Sequence, residues 1–206
     1  MAATVTTGLA LRPLALAWAV GWVAHPGEAV CGDRHLVRAS PEGAILAVVD
    51  GLGHGELAAR AAEAAVAALG SAGARDPEHL IARADAALRS TRGAAVSVAV
   101  VLPDPPRLAW SGVGNVETVL VRADRARSSI ALQGGVVGGG TVRPHRGELP
   151  LAAGDTVAMA TDGIDVGFRD DVDPWTDLGS LVRRILAARV RGTDDALVLL
   201  GRFLGG

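Results

Sequence analysis

The stretch Ala44-Ile-Leu-Ala-Val-Val49 is an uninterrupted apolar run of strand length that ends on Asp50, and Gly51, Gly53, His54 and Gly55 follow at once. Such a run belongs in a sheet. The sheet fixes the carboxylate at its end, while the glycines let the backbone turn sharply or present a carbonyl to a ligand. The arrangement recurs at Val157–Thr161, a short apolar strand that ends on Asp162-Gly163. Asp33 follows Cys31-Gly32 in a segment reaching Val37, and Asp194 stands just before the closing apolar strand Ala196–Phe203. A chain that ends its strands on acids has to bring mutually repelling charges to the rim of its sheets.

The segments between these strands set the fold class. Glu56 to Leu69 is nearly all alanine, with Leu57, Val66 and Leu69, and reads as a helix whose small side chains allow close packing on a sheet. Asp76-Pro77 marks a second helix start, an acidic N-cap with proline at the first helical position, and Leu80, Ile81, Ala84 and Leu88 share one face. Residues 94–102 form a strand, and Arg107–Val113 and Val116–Arg122 read as a hairpin about Gly114-Asn115. The glycines of 134–140 form a flexible bend, and a last helix spans Trp175 to Val190. Residues 8–24 are apolar enough to suggest a signal peptide. Pro13 and the lack of a preceding basic residue favour a single first strand alternating through Leu14, Leu16, Trp18, Val20 and Trp22. Strand-rich blocks separated by helical pairs predict an α+β fold of two mainly antiparallel sheets with helices on the outer faces. No linker or repeat divides residues 1–206, so one domain is expected.

Composition narrows the chemistry. With 20 basic and 22 acidic residues the formal net charge is −2, which lacks the electrostatic footprint of a nucleic-acid binder. Every basic residue is arginine, so a Walker-type phosphate lysine and a lysine Schiff base are excluded. Cys31 is the single cysteine, which excludes a disulfide framework and a thiolate zinc cage and fits a reducing cytoplasm. Arg38 lies too far beyond Cys31 for a cysteine-phosphatase loop, and Asp33 stands inside that loop. Asp171-Val-Asp173, the one Asp-x-Asp, sits in an acidic loop before a proline and reads as solvated. Any single Asp-Gly is most simply a turn. Asp33, Asp50, Asp162 and Asp194 together make a set suited to a hard divalent cation, which takes oxygen ligands.

With these residues in view, the chain resembles the metal-dependent protein phosphatase (PPM) family, in its SpoIIE-like branch of small RsbX-type stressosome phosphatases. The resemblance runs from Gly27-Glu28 and Cys31-Gly-Asp33 through Ala47-Val-Val-Asp-Gly-Leu-Gly-His-Gly55 and Gly112-Val-Gly-Asn-Val-Glu117 to Ala160-Thr-Asp-Gly163 and Asp194-Asp-Ala-Leu-Val-Leu-Leu200. It implies an α-β-β-α four-layer sandwich with a dinuclear manganese or magnesium centre at one edge. Asp50 would bridge the ions, the Gly51 carbonyl would bind one, Asp162 and Asp194 would hold the other, and Asp33 would serve the first acidic motif. Two departures stand out. Gly32 occupies a position where many relatives carry Glu, and Asp195 one where many carry Asn.

The implied reaction is hydrolysis of a phosphoserine or phosphothreonine ester by metal-activated water, with Asp50 and Asp162 as ligands and no protein nucleophile. His54 could protonate the leaving oxygen or simply orient its loop. Asn115 reads as a turn residue. The implied partners are phosphorylated STAS-domain stressosome proteins, with neither nucleic acid nor membrane. A non-catalytic phosphatase-like binding module and a metal hydrolase of small phosphoesters are the alternatives. The retained aspartates weigh against the first, and the scarcity of aromatic side chains for stacking a base weighs against the second.

Overall fold

The uninterrupted apolar strands are explained by burial on both faces. In the computed structural model, which describes residues 3–10, 15–40, 42–71, 76–140 and 142–205, the chain opens with β1 (Thr4–Ala10), β2 (Ala15–Val23), β3 (Asp33–Ser40) and β4 (Gly43–Gly51). Helices α1 (Gly55–Gly70) and α2 (Pro77–Leu88) follow, then β5 (Ala94–Pro103), β6 (Pro106–Val113), β7 (Glu117–Val121), β8 (Arg127–Ser129), β9 (Gly147–Pro150) and β10 (Thr156–Ala160). The short α3 (Phe168–Asp171), α4 (Leu178–Arg189) and β11 (Ala196–Gly205) complete the chain. One antiparallel sheet has the order β1-β2-β11-β10-β7-β8 and the other β3-β4-β5-β6-β9.

The sheets face each other across a central core in which Leu46 and Val48 of β4 meet Val20, Met159, Leu197 and Leu199 of the opposite sheet. The alternate residues of β4, Ile45, Ala47 and Val49, point outward onto α1 and α2. In the other sheet Ala158, Val198 and Leu200 point outward onto α4 through Leu181, Val182 and Ile185. Every central strand therefore contributes to two cores and has no solvent face to carry polar residues. The four layers and the α+β class match the expectation.

The alanines of α1 do the work assigned to them. Ala58, Ala61, Ala62 and Ala65 are buried, and the helix comes so close to β4 that a Cβ at Gly51 would stand 2.2 Å from the carbonyl oxygen of Ala58. Asp76 caps α2 by accepting from the Glu78 amide at 3.4 Å, with Pro77 at the helix start.

Four expectations need correction. Residues 8–24 are not one strand: β1 and β2 are separate and pair antiparallel, with Thr4 opposite Trp22 and Ala10 opposite Leu16. Only Gly8–Ala10, the apolar end of β1, falls in the stretch read as one strand, and Trp18 packs where a Cβ on Gly8 would sit. Pro13 and Leu14, on which that reading leaned, lie outside the described residues. Gly114-Asn115 is not a hairpin turn either, because β6 pairs in the five-stranded sheet and β7 in the six-stranded one. The dipeptide carries the chain from one sheet to the other. The last helix begins at Leu178 rather than Trp175, because Asp177 caps it by accepting from the Ser180 amide at 2.8 Å. The acids before it are not merely solvated: Asp171 pairs with Arg189 at 2.6 Å and Asp173 with Arg125 at 3.6 Å.

Asp155 anchors the turn into β10. Only 2% exposed, its carboxylate accepts from Arg122 Nη1 at 2.7 Å and from the amides of Ala152 at 2.9 Å and Ala123 at 3.1 Å. Removing it strands buried donors, so Asp155→Ala should lower the unfolding free energy by about 3 kcal/mol in urea titration. Asp155→Asn, which keeps one acceptor oxygen, should fall between Asp155→Ala and the parent.

Candidate metal centre

Register brings the first two acids together: Asp33 at the start of β3 is the direct partner of Asp50 near the end of β4. In the opposite sheet Asp162 follows β10 and Asp194 precedes β11, and the antiparallel pairing of those strands places both at the same edge. Thr161 joins the two sheets there. Its hydroxyl donates to Asp33 Oδ2 at 2.8 Å and accepts from the Leu197 amide at 2.9 Å, all of it buried.

The acids repel. Burial first and the Asp50 charge second raise the Asp33 carboxyl well above the ordinary carboxylate range, with the Thr161 hydroxyl opposing. Asp50 is pushed up to about 7 by burial and then by the charges of Asp162, Asp194 and Asp195. Asp162 is raised by burial and by Asp194, while Arg191 and a 2.6 Å hydrogen bond from Asn115 Nδ2 pull the other way. Among the described residues no three His, Cys, Asp or Glu side chains close into a ready-made cage. The carboxylates are near enough to oppose one another's ionisation, and an ion would have to draw them closer.

Their chemistry fits a hard cation. The donors are carboxylate oxygens and the Gly51 carbonyl, and one further buried oxygen, Oδ2 of Asp195, has no hydrogen-bond partner. Asp195 is 3% exposed. Its other oxygen accepts from the His25 amide at 2.8 Å, and its own amide donates to Asp194 Oδ1 at 2.8 Å. Gly32 and Asp195 meet in space. A Cβ on Gly32 would lie 2.7 Å from Asp195 Oδ2 and 2.8 Å from the Ala58 Cβ, so the Asp195 carboxylate fills room that a side chain at 32 would need.

His54 stands at the N-terminus of α1. Its Nδ1 bonds to Glu28 Oε1 at 2.6 Å, and its ring stacks on His25 with centroids 4.2 Å apart and planes 9° apart. The Glu28 carboxylate lies over Gly55, whose φ of +74° and lack of a Cβ admit it. The turn read from His25 to Glu28 is present, closed by the Glu28 amide on the His25 carbonyl at 3.0 Å, and it also delivers the partner of His54.

Sequence reasoning had named Asp33, Asp50, Gly51, Asp162, Asp194 and His54, and all of them lie in this region. It gives no role of their own to Thr161, Asp195 and Glu28, and it reads Asn115 as a turn residue where the structure shows a hydrogen bond that orients Asp162. The one available signal was that these residues lie within or beside the motifs already singled out. The glycine-rich bend is otherwise engaged: the amides of Gly138 and Gly140 donate to the buried Asp85 carboxylate of α2 at 2.7 and 3.4 Å. A mostly apolar cleft of about 530 Å³ lies between β1, β2 and α4, and none of the candidate carboxylates lines it.

The family model for stage II sporulation protein E (SpoIIE) matches residues 40–202. The chain belongs to the SpoIIE family. Phosphoserine phosphatase RsbX of Bacillus subtilis (strain 168) is 32% identical over 94 residues, 46% of this chain and 47% of that protein, so the match spans about half the length of the curated relative. A crystal structure of RsbX in complex with magnesium is similar with a TM-score of 0.85 and 22% identity, covering 96% of this SpoIIE-family chain and all (100%) of that one. A structure from work on the bacterial stressosome as a modular system adapted to control secondary messenger signalling is similar at 0.82 and 28%, covering 91% and 99%.

The acidic edge sets a pH dependence. Asp50 has a folded-state value of about 7, above the ordinary carboxylate near 4, so across that window the folded chain holds a proton that the unfolded chain has released. Stability of the chelator-treated protein should therefore fall as pH rises from about 4 to about 7 and then level off. Manganese should restore the melting temperature at about pH 7.5 and do little at about pH 4.5, where the carboxylates keep their protons. Differential scanning calorimetry reads both effects. A melting temperature that rises through the window without metal would contradict the repulsion described.

Proposed function

We propose that this SpoIIE-family chain is a metal-dependent phosphoserine/phosphothreonine protein phosphatase, with residues 1–206 acting as one phosphatase domain. The observation that carries the reading is the meeting of Asp33, Asp50, Asp162 and Asp194 at one edge of the sandwich, where burial and mutual charge raise the carboxyls of Asp33, Asp50 and Asp162. Asp50, Asp162, Asp194 and the Gly51 carbonyl would hold two divalent ions, manganese or magnesium, with Asp33 beside Asp50. When bound, the ions supply an activated water and neutralise charge on the phosphoryl oxygens.

The chain's own residues orient this chemistry. Asn115 fixes Asp162 and Thr161 fixes Asp33. His54, whose Nδ1 is committed to Glu28, presents Nε2 as the nitrogen left to protonate the leaving seryl or threonyl oxygen. The similarity to RsbX and to the stressosome structure supports phosphorylated STAS-domain stressosome proteins as substrates and a role in resetting stress or second-messenger signalling. A cytoplasmic setting is in keeping with Cys31, a free and buried thiol. Among the described residues no helix is long and apolar enough to cross a membrane.

Hydrolysis of p-nitrophenyl phosphate with and without manganese tests the reading. Metal-dependent turnover is expected, and Asp162→Asn should reduce it by roughly 1,000-fold or more while the fold is retained. Turnover equal to the parent's in both Asp50→Asn and Asp162→Asn would overturn the assignment. His54→Ala should cost about 100-fold on a phosphoserine peptide, in the range of a lost general acid. It should cost far less on p-nitrophenyl phosphate, whose leaving group needs no proton. Equal losses on the two substrates would reduce His54 to a loop-orienting role.

A further inference from the structure

Beside the metal loop, α1 and the α2–β5 connection enclose a cleft of about 230 Å³ lined by Leu57, Arg60, Ala61, Ser90, Thr91 and Arg92. Most arginines among the described residues are tied to carboxylates or backbone carbonyls on their own part of the surface. Arg60 and Arg92 line one cleft together, and among the described residues neither is ion-paired with a carboxylate, Arg92 being held by a backbone carbonyl instead. The Arg92 guanidinium is fixed over the 50–55 loop: Nη1 donates to the Leu52 carbonyl at 3.3 Å and lies 2.8 Å from where a Cβ of Gly53 would be. Leu52 in turn takes its backbone bond from the other side of the connection, its amide donating to the Gly93 carbonyl at 3.1 Å.

The same neighbourhood exposes apolar side chains. Leu52, Leu57 and Val136 are 39%, 53% and 36% exposed. Val136 and Leu52 both approach Gly93, whose φ is +86°, and Leu57 lines the cleft itself. Paired cations flanked by exposed aliphatic groups make a surface for a peptide chain rather than for a free ion. None of the candidate metal ligands lines the cleft. A phosphoryl group at the metal centre and an anion in the cleft are thus separate groups, and the 50–55 loop links the two: the Gly51 carbonyl is a candidate ligand and the next carbonyl, that of Leu52, accepts from Arg92.

We infer that the Arg60–Arg92 cleft is a docking subsite for an acidic segment of the phosphoprotein substrate, with glutamate or aspartate side chains placed near the phosphoresidue. This rests on the phosphatase reading for the identity of the partner, though not for the docking itself. The occupant is a protein carboxylate, selected by charge complementarity, while Leu52 and Leu57 cover the aliphatic part of the docked chain. The interaction is exposed, so it acts on selection and weakens with salt.

The test uses two fluorescein-labelled peptides of equal length around one serine, one flanked by glutamates and the other by glutamines, each made with and without phosphate. Fluorescence anisotropy of the unphosphorylated pair at low salt should show the glutamate peptide binding about tenfold tighter, the scale of a pair of exposed ion pairs. The Arg60→Ala/Arg92→Ala double variant should bring the ratio close to one. Arg60→Glu, on an exposed helix face, sets a carboxylate against the remaining Arg92 and should likewise bring the ratio close to one, and it guards against a variant that disturbs the loop. Equal binding of the two peptides by the parent, or a preference that survives both variants, overturns the proposal. Turnover of the phosphorylated pair separates the two readings. Hydrolysis without acidic preference removes the docking site and leaves the phosphatase, whereas acidic preference in binding with no hydrolysis leaves the docking site and removes the phosphatase.

Discussion

The structure is organised around the cost of bringing several carboxylates to the place where two sheets meet. Asp33 and Asp50 belong to one sheet, and Asp162 and Asp194 flank strands of the other. Burial removes the water that would screen them. Apart from Arg191 beside Asp162, what answers this charge is hydrogen bonding: the Thr161 hydroxyl on Asp33, Asn115 on Asp162 and the His25 amide on Asp195. Each of these donors comes from a distant part of the chain, so the acidic edge can form only when both sheets are in place. A divalent cation there would contribute to stability as well as to chemistry, because it removes the repulsion that folding creates.

Close approach is the second constraint, and it explains glycines that look like loop fillers. A Cβ on Gly163 would stand 2.0 Å from the Asp195 carbonyl oxygen, and one on Gly51 would stand 2.2 Å from that of Ala58. Neither clash can be relieved by a side chain moving, since both contacts are to backbone. The glycine after each strand-end acid is therefore demanded by packing in addition to any turn. Gly32 belongs to the same set for a different reason, since the Asp195 carboxylate and α1 occupy its Cβ space. Gly32 and Asp195 thus share one space: no side chain stands before β3, and the carboxylate that precedes β11 enters from the other sheet.

Much of this was legible from the chain. The apolar runs gave the strands, the alanine-rich segment gave a helix that packs closely, and Asp76-Pro77 gave a helix start that the structure reproduces. The acids at strand ends pointed to the edge where chemistry is possible. What escaped depended on pairing between distant segments. Gly114-Asn115 marks a change of direction, but only the partners of β6 and β7 reveal that it crosses between sheets. The short edge strands β8 and β9, Arg-Ser-Ser and Gly-Glu-Leu-Pro, bury little and carry no apolar run to announce them. Thr161 meets Asp33 from 128 positions away, and no local pattern distinguishes that hydroxyl from any other.

Positioning and selection are carried by different parts of the fold. The acids sit on strand ends whose conformation is set by two cores, so their placement is insensitive to what happens on the surface. The loop from Asp50 to Gly55 is gripped on one flank by Arg92 through the Leu52 carbonyl and on the other by Glu28 through His54. Both grips use exposed or half-exposed side chains, which can change without disturbing either core. On the phosphatase and docking readings proposed above, variation in recognition would be cheapest at Leu52, Leu57, Arg60 and Arg92, where a substitution would alter contact with a partner and leave the carboxylates where the sheets hold them.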